Sequence, residues 1–217
     1  MIIYKYRDWE KDNDKSVLKN LELFLASPKS FNDPFDSKIF FNLPNRKEGF
    51  SAGLEVEIID KLIGIISFSK TWKNILLWSH YSNNHKGFCL GFNANLLSFE
   101  KTKKRDVEYP CDNKYPIIEP REENLETKFF TKSRVWEYEE EYRIVKIFKE
   151  STECDALIRK ESFSKEAIVE VYLGLEMEEN HKQEILNLCK KLQVNVYQII
   201  RVPGKFEIDR ELIYSHN

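Results

Sequence analysis

The stretch AIVEVYLGLEMEENHKQEILNLCKKLQVNVYQIIRV, residues 167–202, decides how this chain folds. Its first eight residues are rich in β-branched and aromatic side chains and stop at Gly174, which reads as a strand. In the polar segment that follows, Ile185, Leu188, Cys189 and Leu192 fall on one stripe of a helix. "VNVYQIIRV" is the next strand, and a "PGK" turn leads into a last short segment. Strand, helix and strand in this order predict a crossover connection.

The same reading extends towards the N-terminus. "IIYKY" (2–6) is a first strand, and "NDKSVLKNL" a helix with Val17, Leu18 and Leu21 on one face and Asp14 or Ser16 as N-cap. "ELFLAS" (22–27) reads as a buried strand stopped by Pro28, residues 42–53 as loop, and "LEVEIIDKL" as a helix. "IGIISFS" (63–69), "GFCLGF" (87–92) and "EYRIVKIF" (141–148) are further strands. "NILLWSHYSNN" (74–84) suits a helix, because Trp78, Tyr81 and His85 recur at i, i+3 and i+7. Residues 100–127 are polar and proline-containing, and read as a long surface excursion. The chain reads as a single α+β domain over residues 1–217, built on a mixed sheet.

Composition narrows the functional classes. A hydrophobic content of 41% in 217 residues is enough for a real core. Lys and Arg total 34 against 36 Asp and Glu, and this balance argues against a broadly basic nucleic-acid binder. The strongest basic run, "KTKKR" (101–105), reads as a solvated loop more readily than as a phosphate contact. The four cysteines form no Cys-x-x-Cys pair, as expected of reduced thiols in a cytoplasmic protein. The N-terminus becomes charged too early for a secretory segment, and "LIGIISF" (62–68) is too short to span a bilayer, so no membrane role is expected. Phosphate-loop, dinucleotide-binding, nucleophile-elbow and His-Glu-x-x-His motifs are all absent.

Four clusters carry candidate chemistry. In "YKYR" (4–7), alternation puts Tyr4 and Tyr6 on one face and Lys5 and Arg7 on the other. In "SPKSFNDPFD" (27–36), Asn32 can cap a rigid Asx-Pro turn, which accounts for Asn32, Asp33 and Pro34 but not for Asp36. In "WSHYSNNHKGFCLGF" (78–92), Trp78 reads as a core ring. His80 and His85 are separated by roughly 140° on a helix and form no chelating pair there, so no metal site is expected. Lys86 and a Gly that lets backbone come close stand beside His85. In "WEYEEEYR" (136–143), a strand would place Glu137, Glu139, Glu141 and Arg143 on one face, with neighbouring carboxylates about 7 Å apart. A carboxylate pair on a packed strand suits general-base work or stabilisation of a developing cation.

These four clusters, in this order, resemble a bacterial domain family of unknown function. Its pattern runs Tyr-Lys-Tyr-Arg, S-P-x-S-F-N-D-P-F-D, W-S-H-Y-x-x-x-H-K-G-x-C-L-G-F and W-x-Y-E-x-E-Y-R, and the match covers nearly the whole chain. At the level of fold, a first strand with a basic motif, a central aromatic and a late Glu-x-Glu strand are similar to ADP-ribosyltransferases. That resemblance implies a split β core with the C-terminal strand–helix–strand attached, and NAD as substrate. Arg7 would bind NAD. Tyr81 or His80 would stack on or position the nicotinamide side. Glu141 would hold the nicotinamide ribose as the glycosidic bond breaks, and Glu139 would orient an acceptor. Tyr6, Asn32, Asp36, His85, Lys86 and Arg143 complete the expected NAD-binding set. The first strand lacks the usual His, and no Ser-Thr-Ser strand motif is present.

The activity implied is that of an NAD-consuming effector, an ADP-ribosyltransferase or NAD glycohydrolase of the toxin or anti-phage type. A protein or nucleic-acid acceptor and an antitoxin or defence-system partner go with it. Two alternatives stay open. One is a metal-dependent nuclease or phosphodiesterase using Asp33, Asp36, His80, Glu139 and Glu141. The other is a non-catalytic binding module contacting a partner through "KTKKR" and the proline-containing excursion.

Overall fold

A computed structural model describes residues 1–37, 61–114, 127–148 and 158–216. The expected loop at 42–53, most of the expected "LEVEIIDKL" helix and residues 115–126 of the polar excursion lie outside the described residues.

The fold is α+β, with a large mixed sheet of eight strands. In chain order the described elements are β1 (Ile2–Arg7), α1 (Asp12–Lys19), β2 (Glu22–Phe24), β3 (Ile63–Ser69), α2 (Ile75–Tyr81) and β4 (Phe88–Asn93). They continue with β5 (Thr102–Asp106), β6 (Glu141–Ile147), β7 (Lys160–Ser162), β8 (Ile168–Leu173), α3 (Glu179–Leu192), β9 (Asn195–Arg201) and β10 (Ile208–Tyr214). The sheet order is β10-β9-β8-β4-β1-β3-β6-β5, and β2 pairs with β7 apart from it. The chain divides into two compact units. The first comprises Met1–Leu23, Phe68–Phe99 and Glu161–Asn217, and the second Phe24–Ser67 and Glu100–Lys160.

In the first unit the crossover is as expected. β8 and β9 run parallel, with Val171 opposite Val196 and Tyr172 opposite Tyr197, and α3 joins them. Ile185 and Cys189 are the buried residues of the helical stripe, while Leu188 and Leu192 are half-buried. Glu179 in the first turn and Lys190 and Lys191 in the last complement the helix dipole.

β1 pairs with β4 along its length, and its two faces separate as alternation requires. Tyr6 lies edge-on to Trp78 and donates its hydroxyl to the Thr71 carbonyl at 2.9 Å. On the other face, Lys5 stands over the Phe68 ring and Arg7 pairs with Asp14 at 3.2 Å. Asp14 is not the N-cap of α1. The helix starts at Asp12 after Lys11, whose side chain has no acceptor to cap with, so Asp14 and Ser16 both lie inside it, and the Asp14 carboxylate bonds Arg7 and the Asp8 N–H.

Gly87 and Gly174 meet where β4 and β8 close on each other. Gly174 donates its N–H to the Gly87 carbonyl at 2.9 Å. A Cβ on Gly87 would lie 2.1 Å from the Arg7 carbonyl oxygen, and one on Gly174 would lie 2.1 Å from that of His85. Backbone cannot yield as a flexible side chain can, so Gly87→Ala and Gly174→Ala are each expected to cost about 2–3 kcal/mol. Denaturant midpoints of the two variants check this, and wild-type midpoints would contradict the packing at this corner.

The second unit has its own core of Ile63, Ile65, Phe129, Phe130 and Val145, with Phe31 packed against it. Buried Arg159 donates to the carbonyls of Leu25, Ile63 and Lys61 at 2.8–3.1 Å, satisfying backbone where strand pairing runs out. β2 is shorter than the expected 22–27 strand. It ends at Phe24, and Ala26 makes an isolated antiparallel bridge to Ile65. The excursion expected over 100–127 is also partly regular. Its "KTKKR" run lies largely in β5, paired with β6 from Thr102–Lys146 to Asp106–Tyr142. Polarity hid this strand because its cations stand on an outer strand, where solvent reaches them.

Candidate functional site

The "WEYEEEYR" segment does not lie on one strand. Arg134–Glu139 is a 3-10 helix, Glu140 takes a left-handed conformation at φ 45°, and β6 begins only at Glu141. Glu137 consequently points away and pairs with Arg134 at the surface. Glu139 and Glu141 are nonetheless brought together, by a residue outside the motif. Lys132 Nζ lies 2.5 Å from Glu139 Oε2, 3.3 Å from Glu141 Oε2 and 3.6 Å from Asp36 Oδ2.

From Glu141 onward the expected alternation holds. Arg143 shares a face with Glu141 and grips it in fork geometry, Nε to Oε1 at 2.7 Å and Nη2 to Oε2 at 2.9 Å. The other side of the guanidinium takes Asp36 the same way, Nη1 to Oδ1 at 2.9 Å and Nη2 to Oδ2 at 2.6 Å. Nη1 also donates to Ser37 Oγ and the Phe129 carbonyl, so every nitrogen of this fully buried arginine is bonded.

Asp36 reaches Arg143 because the preceding loop is held in shape. Ser27 Oγ accepts from the Lys29 N–H, at the start of the 3-10 helix Pro28–Ser30. The turn is capped by Asp33, whose Oδ1 accepts the Phe35 N–H at 2.8 Å, and not by Asn32, which is exposed. Ser37 Oγ donates to Asp36 Oδ1 at 2.9 Å, and the Phe31 ring lies 5.5 Å from the Arg143 guanidinium.

Among the described residues the bonded set holds three carboxylates, Asp36, Glu139 and Glu141, and two cations, Lys132 and Arg143. Three carboxylates are thus gathered in a buried place. Burial opposes ionisation of Glu141, but Arg143 and Lys132 outweigh it and bring its carboxyl down to about 2. Burial likewise opposes the charges on Lys132 and Arg143, yet the surrounding carboxylates hold both pKa values above their ordinary range. The Trp136 ring lies 4.9 Å from Lys132 Nζ. Tyr109 accepts the Glu141 backbone N–H at 3.0 Å, and burial together with Glu141 and Glu139 raises its phenol pKa.

A pH prediction follows from Glu141. Its folded-state pKa is depressed, so the stability it contributes is complete above its ordinary value of 4.5 and drains away as pH falls towards about 2. Unfolding midpoints should drop through that window in the wild type, and less steeply in Glu141→Gln. Parallel profiles would contradict the charge assignment.

The remaining expected site residues, Asn32 apart, belong to the first unit. Arg7 and Tyr6 lie in the first unit with the partners given above. α2 is capped by Asn74, which accepts the Leu76 N–H, and it ends at Tyr81, earlier than the expected 84. Asn83, Asn84 and His85 all have positive φ, at 50°, 54° and 67°, so the chain doubles back and His85 is not on the helix. His85 stacks on Trp78 and meets Ser79 Oγ through Nε2 at 3.2 Å, and burial lowers its pKa. Trp78 is a core ring, donating to the Trp72 carbonyl at 2.7 Å. His80 is exposed with Tyr81 edge-on to it, and Lys86 is exposed. The structure thus gathers Asp36, Glu139, Glu141 and Arg143 of the expected residues. Lys132, Tyr109 and Trp136 join them without having been singled out for chemistry.

Among the described residues no group of three or more His, Cys, Asp and Glu is placed to hold a metal ion, and no helix is long and apolar enough to cross a membrane. No curated protein and no solved structure matches this chain. Residues 77–144, which run from α2 into β6 and include Tyr109, Lys132, Glu139, Glu141 and Arg143, match a family described as a protein of unknown function (DUF2971).

Proposed function

We propose that the protein consumes NAD by breaking the bond between nicotinamide and ribose, transferring ADP-ribose to an acceptor or to water. The observation that carries this reading is the gathering of three carboxylates, Asp36, Glu139 and Glu141, in the buried cluster beside Trp136. Bond cleavage sends an electron pair to the positively charged nicotinamide ring and leaves positive charge on the ribose. A fixed carboxylate in a dry site stabilises that change without having to reorganise. The nucleophile then adds to the ribose carbon and loses its proton.

In this reading the labour is divided differently from a simple transfer of family roles. Glu141 accepts from Arg143 at both oxygens and from Lys132 at one, so it fixes the charge of the cluster. Glu139, held by Lys132 and followed by a left-handed residue, is the carboxylate assigned to the developing cation. The metal-dependent alternative draws no comparable support. The point where Asp36, Glu139 and Glu141 converge is filled by Lys132 Nζ.

In this reading the protein is an effector of the toxin or anti-phage type, related in fold to ADP-ribosyltransferases, with a protein or nucleic-acid acceptor. The test is to incubate it with labelled NAD, alone and with cell lysate or RNA. Release of nicotinamide or transfer of label supports the reading, and intact NAD with nothing labelled overturns it.

A further inference from the structure

Among the described residues, Tyr109 carries a hydrogen-bonding capacity that is left unspent. Its oxygen accepts the Glu141 backbone N–H at 3.0 Å. A phenol that accepts still has one proton to give. Among the described residues that proton has no acceptor, although Glu141 and Glu139 are near enough to act on the phenol electrostatically. The residue is half-buried. With its pKa raised, the group keeps its proton throughout the physiological range and is a donor there.

A fixed donor beside a fixed carboxylate is complementary to a pair of neighbouring hydroxyls. Each hydroxyl both donates and accepts, so one can donate to Glu139 while its neighbour accepts from Tyr109. We propose that Tyr109 binds the substrate, donating its hydroxyl proton to one of the two neighbouring hydroxyls of the nicotinamide ribose. This inference rests on the NAD-consuming reading and names the part of that substrate the site recognises. Lys132 and Arg143 are both pulled onto carboxylates and Ser37 donates to Asp36, whereas Tyr109 is a neutral donor whose proton is uncommitted among the described residues. It fixes the sugar without cancelling the negative charge that the reaction needs.

The test removes the bond from each side. NAD turnover is measured for wild type and Tyr109→Phe, with NAD and with its 2′-deoxy and 3′-deoxy nicotinamide-ribose analogues. Tyr109→Phe is expected to lower kcat/KM for NAD roughly tenfold to a hundredfold. At least one analogue should fall by a similar factor with the wild type, and Tyr109→Phe should cost that analogue little more. This non-additivity separates a substrate contact from damage to the Glu141 N–H, which would penalise every substrate alike. The deoxy analogues on wild-type protein keep the test decisive even where the variant is unstable. If the wild type turns over NAD and both analogues equally well, or folded Tyr109→Phe matches the wild type on NAD, the assignment is wrong and the NAD reading stands. If the wild type leaves NAD intact, the functional reading falls and the Tyr109 assignment falls with it.

Discussion

Arg143→Met is expected to lose about 3–5 kcal/mol of folding stability. The residue is wholly buried, and its loss strands two carboxylates, Asp36 and Glu141, that are each gripped at both oxygens. Lys132 approaches both of them but also has Glu139, so it cannot neutralise the set alone. Arg143→Lys should recover only part of the loss, because one ammonium cannot present two forks at once. The exposed Arg201–Glu176 pair, at 2.6 Å, is the internal control. Arg201→Ala should change stability by about 1 kcal/mol or less, since surface pairs contribute little. Urea unfolding of the three variants checks the contrast. Equal midpoints for Arg143→Met and Arg201→Ala would contradict the view that this cluster holds the second unit together.

Glu139→Gln is expected to abolish NAD consumption at least a hundredfold while leaving the fold intact, a size typical of removing one fixed electrostatic partner from a reacting centre. The substitution is nearly isosteric and retains an oxygen for Lys132 Nζ, so the cluster keeps its shape and loses the Glu139 carboxylate charge. Glu141→Gln differs. It weakens the Arg143 grip, and its activity loss should come with a lower unfolding midpoint. Activity and stability thus separate at Glu139 and move together at Glu141. If Glu139→Gln stays fully active and Glu141→Gln is folded but dead, the two roles are reversed.

The parts of the fold that local periodicity determines were legible in the sequence. β8, α3 and β9 follow from period-2 alternation, a helical stripe and Gly174. The face split of β1 follows from alternation alone and is confirmed by the separate partners of Tyr6 and Arg7. Sheet order was not legible, because β1 lies between β3 and β4 through long-range pairing that no local pattern encodes. "WEYEEEYR" misleads for a physical reason. Its alternation suits a strand, but the left-handed Glu140 keeps the strand from starting before Glu141. The turn at Asn83, Asn84 and His85 ends α2 similarly, by backbone conformation that helical spacing does not reveal.

At the site, the carboxylates and Arg143 stood out by motif, and their convergence did not. Lys132 stands in "FFTKSRVW", with no motif to mark it, and Tyr109 sits beside Pro110 in the segment read as excursion. The available signal for Lys132 was its place among Phe129, Phe130, Val135 and Trp136, where an uncompensated charge is costly and has to find a partner, whereas the polar segment around Tyr109 offered none. Asp36 is the clearest gain in meaning. The Asx-Pro turn could not account for it, and its carboxylate proves to be the second grip on Arg143.

The central claim is that this cluster supports cleavage of the nicotinamide–ribose bond. Nicotinamide release from NAD, by wild type and by Glu139→Gln purified side by side and matched for unfolding midpoint, tests it most directly. The account predicts release by the wild type and near-background release by the variant. Equal release by both, or none from the wild type with any acceptor supplied, would contradict it.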